Sequence, residues 1–451
     1  MSSISNHLVR PHIQTLGAGA LAFLLALLLA SPACLGAPAA PAAKTITIGV
    51  DLPLTGDEGR AGKSTLNGIR FFVHEHPTLN GFTIVLDARD DASSGPRDSS
   101  RGVKNLKAFI ADPRVVAMLG PFDSSVARAQ IPIANEAHMA MVSPATSSRC
   151  LTKEPYLPTT LNPHRTPTSC KDAGLPSPSE LRPTGVNNYF RLSTTDELQG
   201  PAAADYARKQ LKLMRVAVVN HHEAYGQLLA NSFTARFNKL GGTVVARQEV
   251  DPAAASVDLT SFLEGAKKKG AQGVYFGGAA ANHGCEVRHQ MASVFEIGAG
   301  TPFLGGDGIA LDPTCVRDAG ANAPGVYATV PAPDPEQIDS AQHLIQAFKA
   351  EYGRPGDFGP YTIAAYDATG VLYYALDRAI KASGGNVPFR DTVVTHLAAT
   401  TSFTGAMGTF GFDPDGDTTQ RLVSIFKPAG TDPRSGWKWV DTVSYTAALP
   451  Y

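Results

Sequence analysis

This chain is short of charge. Only 18% of its 451 residues are Asp, Glu, Lys or Arg, and the formal net charge is -1. With neither sign in excess, nothing marks a partner surface of nucleic acid or anionic membrane. Cysteine is scarce too, at five, and none stands in the CxxC or CxxH spacing that holds zinc. Ser124 has no GxSxG elbow around it, and no catalytic triad, paired-carboxylate site or cofactor fingerprint assembles. Asp413-Pro-Asp-Gly-Asp417 lacks the EF-hand spacing and closing Glu, so it reads as a hairpin turn rather than a calcium loop. His221-His222-Glu223 and the pair His283 and His289 have no second cluster converging on them in sequence. The segment GRAGKST at 59–65 comes nearest to a phosphate loop, but Asp57 stands where that motif needs Gly. An acid among phosphate-cradling N–H groups would repel the ligand. The expectation is a protein that binds without chemistry: no enzyme, no cofactor, no metal.

What the chain does have begins at its start. Met1 to Thr15 carries Arg10 and no acid, and Leu16 to Ala30 is an unbroken apolar run of 15 residues. Small residues and an Ala/Pro stretch follow as far as residue 43. This is the pattern of a secretory signal peptide, too short for a membrane span. Cleavage among Ala37 to Ala43 frees a soluble protein; alternatively Cys34 is the lipidation candidate of a surface lipoprotein, although Ser31 departs from the lipobox preference for Leu. Either way the protein is expected to be exported, to the periplasm or outer cell surface. With Cys34 set aside, Cys150, Cys170, Cys285 and Cys315 remain, an even number in an oxidising compartment. Of the pairings open to them, Cys150–Cys170 and Cys285–Cys315 each close a local loop.

The length implies two or three domains, and 43 Gly and 33 Pro, scattered rather than periodic, imply many short connections. The organising stretch is 118–148. Val115 to Leu119 is a short apolar strand closed by Gly120-Pro121, then Asp123-Ser124-Ser125 open a helix. A second strand, Met139 to Val142, ends in Ser143-Pro-Ala-Thr-Ser-Ser148. In a parallel sheet both hydroxyl-rich turns share the carboxyl edge, where open α/β folds bind ligands. Free N–H groups at a helix start suit an anion such as a carboxylate; Ser124 and Ser125 as plain helix caps are the competing reading. Strands at 45–54 and 82–87, with helices between, extend the series, and a polar loop is expected from Ala88 onward. From 149 to 186 the pattern breaks into a Pro-, Thr- and Ser-rich excursion bounded by two cysteines. A second β/α series of similar size runs from about 193 to 331. A Pro-rich joint, PAPDP, precedes two helices, and β-like segments close the chain.

Ordered motifs carry a resemblance: IGVDLPLTG and NGIRF within 48–71, LGPFDSSVARAQIPIA at 119–134, VSPATSS at 142–148, YFRL and QGPAAADY within 189–206, and RVAVVNHHEAYGQLLA at 215–230. VYFGG at 274–278, FLGGDGI at 303–309, YTIAAYDA at 361–368 and GTFGFDPDGD at 408–417 complete it. From about Thr45 to the C-terminus the chain resembles the type I periplasmic solute-binding proteins of the branched-chain amino-acid ABC importers. The resemblance implies an α/β fold of two Rossmann-like lobes joined by three crossover strands, closing on a ligand between them. Lobe one would take 45–192 and 332–410, with the Cys-bounded insertion 149–186; lobe two would take 193–331 and 411–451. It further implies that Ser124 holds a ligand carboxylate and that Thr146 and Ser147 grip carboxylate and ammonium. Tyr225 would be an aromatic lid, Asp307 the acid against the α-ammonium, and Tyr361 an aromatic wall. A carboxylate facing a desolvated ammonium is a strong, charge-assisted contact; for Asp307 the competing reading is a plain turn residue. Ala61 and Ala279 replace aromatics that the family carries, which would widen the pocket toward a ligand bulkier or more polar than leucine. The expected partners are a small amino-acid-like solute and ABC permease subunits, with the protein itself a monomer. The rival reading is a ligand-sensing or regulatory domain on the same fold; no transmembrane or signalling segment following Tyr451 favours transport.

Overall fold

The structure, a computed structural model, describes residues 44–56, 58–92, 99–157, 168–222, 224–251, 254, 256–280, 283–295, 300–354 and 356–445. The signal-like run, the Ala/Pro tether and Cys34 lie outside the described residues, as do Asp57, Glu223 and 158–167 within the excursion. No helix among the described residues is long and apolar enough to cross a membrane.

The first series comprises β1 (Lys44–Leu52), α1 (Gly59–Glu75), β2 (Thr78–Leu79), β3 (Phe82–Asp90), α2 (Ser100–Ala111), β4 (Val115–Leu119), α3 (Ser124–Glu136), β5 (Ala140–Ser143) and β6 (Tyr189–Arg191). The second comprises α4 (Asp196–Lys209), β7 (Arg215–His221), α5 (Ala224–Lys239), β8 (Thr243–Val250), α6 (Thr260–Lys268), β9 (Val274–Gly277), α7 (Gly284–Val294), β10 (Phe303–Gly305), α8 (Pro313–Ala319) and β11 (Val326–Val330). Then come α9 (Gln342–Glu351), α10 (Thr362–Ala382), α11 (Arg390–Ala398), β12 (Phe403–Gly405), β13 (Gly408–Phe410), β14 (Leu422–Pro428) and β15 (Trp437–Ser444).

One sheet runs β2-β3-β1-β4-β5-β6 and the other β15-β14-β11-β10-β9-β7-β8. Within these two sheets all strands apart from β2, β14 and β15 pair in parallel, while β12 and β13 form a separate antiparallel pair. Parallel strands covered on both faces have no wet side, so they read as unbroken apolar runs. In β7, Val216 and Val218 face a core containing Phe233, Phe237 and Tyr275, while Ala217 and Val219 face the core of Leu263, Phe276 and Met291. The first sheet is sandwiched likewise: Ile46, Ile48 and Val50 join α10 and α11 on one face, and Leu106, Phe109 and Ile131 from α2 and α3 cover the other. Helix α10 comes close to α1 where α1 carries Gly68, while further along Phe72 meets Tyr366 and Tyr373 edge-on. A Cβ on Gly68 would meet the Thr362 carbonyl oxygen at 2.0 Å.

The chain passes between the sheets at three places, and these strands of chain bond to one another. Thr194 N donates to Pro331 O at 2.7 Å, the Thr194 hydroxyl to Leu422 O at 3.0 Å, and Ser424 N to Ala332 O at 3.2 Å.

Several expectations need correction. Strand β3 runs on through Ala88, Arg89 and Asp90, which pair with Val50, Asp51 and Leu52. The polar composition there suggests a loop, but backbone pairing to β1 continues regardless, and the Asp90 carboxylate accepts from Leu54 N at 2.8 Å. Helices α8 and α11 went unread because each is short and weakly periodic. Ser124 and Ser125 do not cap α3: Asp123 does, accepting from Ser125 N at 2.8 Å. Other expectations stand: the cysteines pair as Cys150–Cys170 and Cys285–Cys315, with Cα separations of 5.8 and 5.0 Å. The 413–417 segment is a turn, Gly416 N donating to Asp413 O at 2.9 Å, and its acids face cations of the protein itself. Asp417 is buried against Arg191 at 2.7 Å and Lys153 at 2.9 Å.

Candidate functional site

In an open parallel sheet, the crevice lies at the carboxyl ends of two strands whose connections leave in opposite directions. In the first sheet that point falls between β1 and β4, in the second between β7 and β9. Gly120, at φ +105°, makes the turn out of β4. Its missing side chain lets the turn press on β1, where a Cβ would stand 2.3 Å from Asp51 O.

The turn places Ser124 at the first position of α3, half-buried, its hydroxyl oxygen accepting from Ser148 N at 3.3 Å. Because Asp123 does the capping, Ser124 is released from it. Thr146 is turned inward: its hydroxyl donates to Ser143 Oγ at 2.9 Å and also meets the Tyr189 hydroxyl. Ser147 is buried, its carbonyl accepting from Asp196 N at 2.9 Å, at the start of α4.

Asp307, in the loop after β10, is the convergence point. Its Oδ1 accepts from Tyr225 Oη at 2.7 Å and from Gln199 Nε2 at 2.9 Å, and its Oδ2 from Tyr361 Oη at 2.5 Å. Gly308 N donates in turn to Tyr225 Oη at 3.0 Å. Burial first, then the neighbouring carboxylate, holds the Tyr225 and Tyr361 hydroxyls well above their ordinary pKa. Both therefore remain protonated donors at neutral pH. Three donors on one carboxylate exceed what a bare turn residue needs. Tyr361 stands at the start of α10 and packs edge-on against Phe122 at 5.4 Å, so Asp307 ties the second sheet's loops to elements of the first. An apolar cluster also spans both sides, joining Phe276 and Ile309 to Ala145, Tyr361 and Ala364. The cleft is shut.

Outside this junction lies a cavity of about 300 Å³. Helix α3 supplies Ser124, Ser125 and Arg128; α5 supplies Tyr225 and Gln227; the excursion supplies Cys150, Leu151, Ala173 to Pro176, and Leu181. Ala61 and Ala279 are not in its lining, so the extra room expected from them is not where the space is. The excursion walls the cleft instead. It is held there on both sides: Cys150, Tyr156, Cys170 and Leu175 pack on Leu228 of α5, while Lys153 pairs with Asp413 at 2.6 Å. Arg149 adds a contact to Glu197 at 2.6 Å.

Of the candidates, Ser124 and Tyr225 line this cavity; Asp307 and Tyr361 meet Tyr225 at the junction, Thr146 is turned inward on Ser143 and Tyr189, and Ser147 is bonded to Asp196. Sequence reading missed Gln199, Asp196 and Arg128. Gln199 and Asp196 are three residues apart at the start of one helix, on neighbouring positions of its surface, and that spacing was the available signal.

A family profile described as periplasmic binding protein matches residues 45–430. A Leu/Ile/Val-binding protein, BraC3, of Rhizobium johnstonii is 28% identical over 85% of this chain and 91% of its own length. Among solved structures, the leucine-binding protein LivK of Thermotoga maritima aligns with a TM-score of 0.69 and 23% identity, covering 89% of this chain and 99% of that one. An ABC-transporter solute-binding protein from R. palustris, in complex with 4-hydroxybenzoate, aligns with a TM-score of 0.71 and 19% identity over 90% and 98% of the two chains.

Proposed function

Because this chain belongs to the periplasmic binding protein family, whose members are solute-binding proteins rather than enzymes, we propose that it captures a small amino-acid-like solute outside the cytoplasm and delivers it to an ABC permease. Capture works by cleft closure. Lobe one is taken as 45–192 with 332–410 and lobe two as 193–331 with 411–451, rocking about the hydrogen-bonded passages at 194, 331–332 and 422–424. Ser124 and the start of α3 receive the carboxylate, with Thr146 and Ser147 shaping the second turn. Tyr225 and Tyr361 form the lid and wall, and Asp307 takes the ammonium. The ligand's side chain points into the cavity walled by the excursion, which suits a solute larger or more polar than leucine.

The observation that carries this reading is the Asp307 junction. A carboxylate at the ligand edge of one sheet, gripped by donors from both sides of the cleft, couples occupancy of the site to closure. Relatives named for Leu/Ile/Val binding support the amino-acid class. The test is a thermal-shift screen of the purified protein against amino acids, amides and organic acids. A ligand at a hundred times its Kd stabilises the folded state by about 2.7 kcal/mol, readily seen as a raised Tm. A screen in which no small molecule shifts the transition refutes solute capture.

A further inference from the structure

The cavity walled by the excursion holds a cation that the reading above does not use. Arg128 lines it from α3, four residues beyond Ser124, so both side chains leave the same face of that helix. Among the described residues, no hydrogen bond or ion pair reaches the Arg128 guanidinium. Other arginines drawn in from solvent are treated differently. Arg149 and Arg236, half-buried as Arg128 is, meet Glu197 at 2.6 Å and Asp205 at 2.9 Å, and the fully buried Arg191 meets Asp417 at 2.7 Å.

Its surroundings on the cavity wall point the same way. The Ser125 hydroxyl oxygen, in the same lining, is buried without a hydrogen-bond partner. Asp123, the acid of that lining, caps α3 by accepting from Ser125 N at 2.8 Å and forms no ion pair with Arg128. The excursion contributes apolar side chains here, among them Leu151, Leu175 and Leu181, and no charge. That wall keeps water from the guanidinium and so strengthens any charge contact made beside it. An apolar ligand side chain would complete the desolvation of Arg128 and give nothing back. A carboxylate would match its planar fork of donors, bonding through both oxygens. The volume of about 300 Å³ is at the small end for ligand sites, enough for a short acidic side chain.

We propose that Arg128, with the Ser125 hydroxyl, receives a second carboxylate at the far end of the solute, so that the protein selects acidic amino acids over apolar branched-chain ones. This rests on the solute-capture reading and narrows its substrate class. The first carboxylate stays with Ser124 at the start of α3, one helical turn away.

Isothermal titration of the purified protein tests it with matched probes: L-glutamate against L-glutamine, L-aspartate against L-asparagine, and L-leucine alone. At least one acidic probe should bind about ten- to a hundred-fold tighter than its amide and than leucine, the size of a charge-assisted contact. In Arg128→Gln that ratio should collapse toward one, while Arg128→Lys, which keeps the charge but loses the fork, should retain part of it. Arg128 bonds nothing that holds the fold, so the unliganded Tm of either variant should match the parent, which separates lost recognition from lost folding. An amide or leucine binding as tightly as the best acid overturns the inference while leaving solute capture intact; this comparison needs no variant. An unchanged ratio in Arg128→Gln overturns it equally. So does an equal loss for acid and amide, which would assign Arg128 to the carboxylate that all probes share. If none of these probes binds, a thermal-screen hit whose far end carries no acid group also overturns it, and one that does carry an acid group is put through the same comparison with its amide. A silent screen refutes solute capture and the inference with it.

Discussion

Replacing Asp307 with Asn isolates the charge at the centre of the cleft. The side chain keeps its shape, but one acceptor oxygen becomes an NH2 donor facing hydroxyl or amide donors now 2.5 to 2.9 Å away. Hydrogen bonds to a charged group contribute about 1.5–3 kcal/mol and neutral ones about 0.5–1.5, so each surviving bond weakens by roughly 1 kcal/mol. Of these three bonds the Tyr361 one joins the two sides of the cleft, so the unliganded closed form loses about that much. A bound ammonium loses the full charge-assisted contact, about 1.5–3 kcal/mol, or roughly ten- to a hundred-fold in Kd. Titration calorimetry with the best amino acid from the screen reads this directly. Tyr361→Phe is the control: it removes the cross-cleft bond but spares the ammonium's partner, so its Kd should rise less, by about five-fold for 1 kcal/mol. Asp307→Asn with an unchanged Kd would refute the site, and a Tyr361→Phe effect larger than that of Asp307→Asn would show that closure, not charge, governs affinity.

Three further outcomes follow from the same geometry. Asp417→Asn should cost about 3–5 kcal/mol in urea unfolding, because it leaves Arg191 buried beside a neutral partner; a loss under about 1 kcal/mol would show the pair to be replaceable. Burial raises the Asp417 pKa, but Arg191 and Lys153 outweigh it and hold the carboxyl at about 2. A depressed acid stabilises the fold above its unfolded value near 3.9, and that contribution should fade as pH falls from about 5 toward 2, a slope absent in the Asn variant. Removing the Cys150–Cys170 bridge with two Ser substitutions should lower stability by about 3 kcal/mol on chain-entropy grounds. It should also blur discrimination among ligand side chains, since the excursion walls the cavity; unchanged selectivity in the titration series would place that wall outside recognition. Gly120→Ala forces a Cβ within 2.3 Å of Asp51 O at a positive φ, so its denaturation midpoint should drop, by at least the roughly 1–2 kcal/mol of left-handed strain.

Local patterning was enough for much of the architecture. Continuous apolar runs such as Val115 to Leu119 mark strands buried on both faces, and Gly or Pro after each marks its end. The disulfides were legible because each closes a loop of 20 or 30 residues, where contact is probable from proximity along the chain. The turns at 120–125 and 143–148 could be assigned to one sheet edge, since parallel pairing puts every carboxyl end on the same side.

Where the pattern misled, a partner lay far away in sequence. Asp90 looked like loop until β1 supplied its pairing, and the 413–417 segment read as a hairpin turn with nothing to show that its acids meet Lys153 and Arg191. The excursion read as structureless because nothing periodic holds it; what holds it is Leu228 of α5 on one flank and the 413–417 turn on the other. The sequence by itself determined two β/α series, their ligand edge and the residues standing on that edge. Only the tertiary structure decided that Tyr225, Gln199 and Tyr361 share one carboxylate, and that the excursion walls the cavity beside it. Strand and helix periods are written in neighbours a few positions apart. The site is made from contacts across 54 to 108 residues, whose meeting depends on which sheet edges face each other.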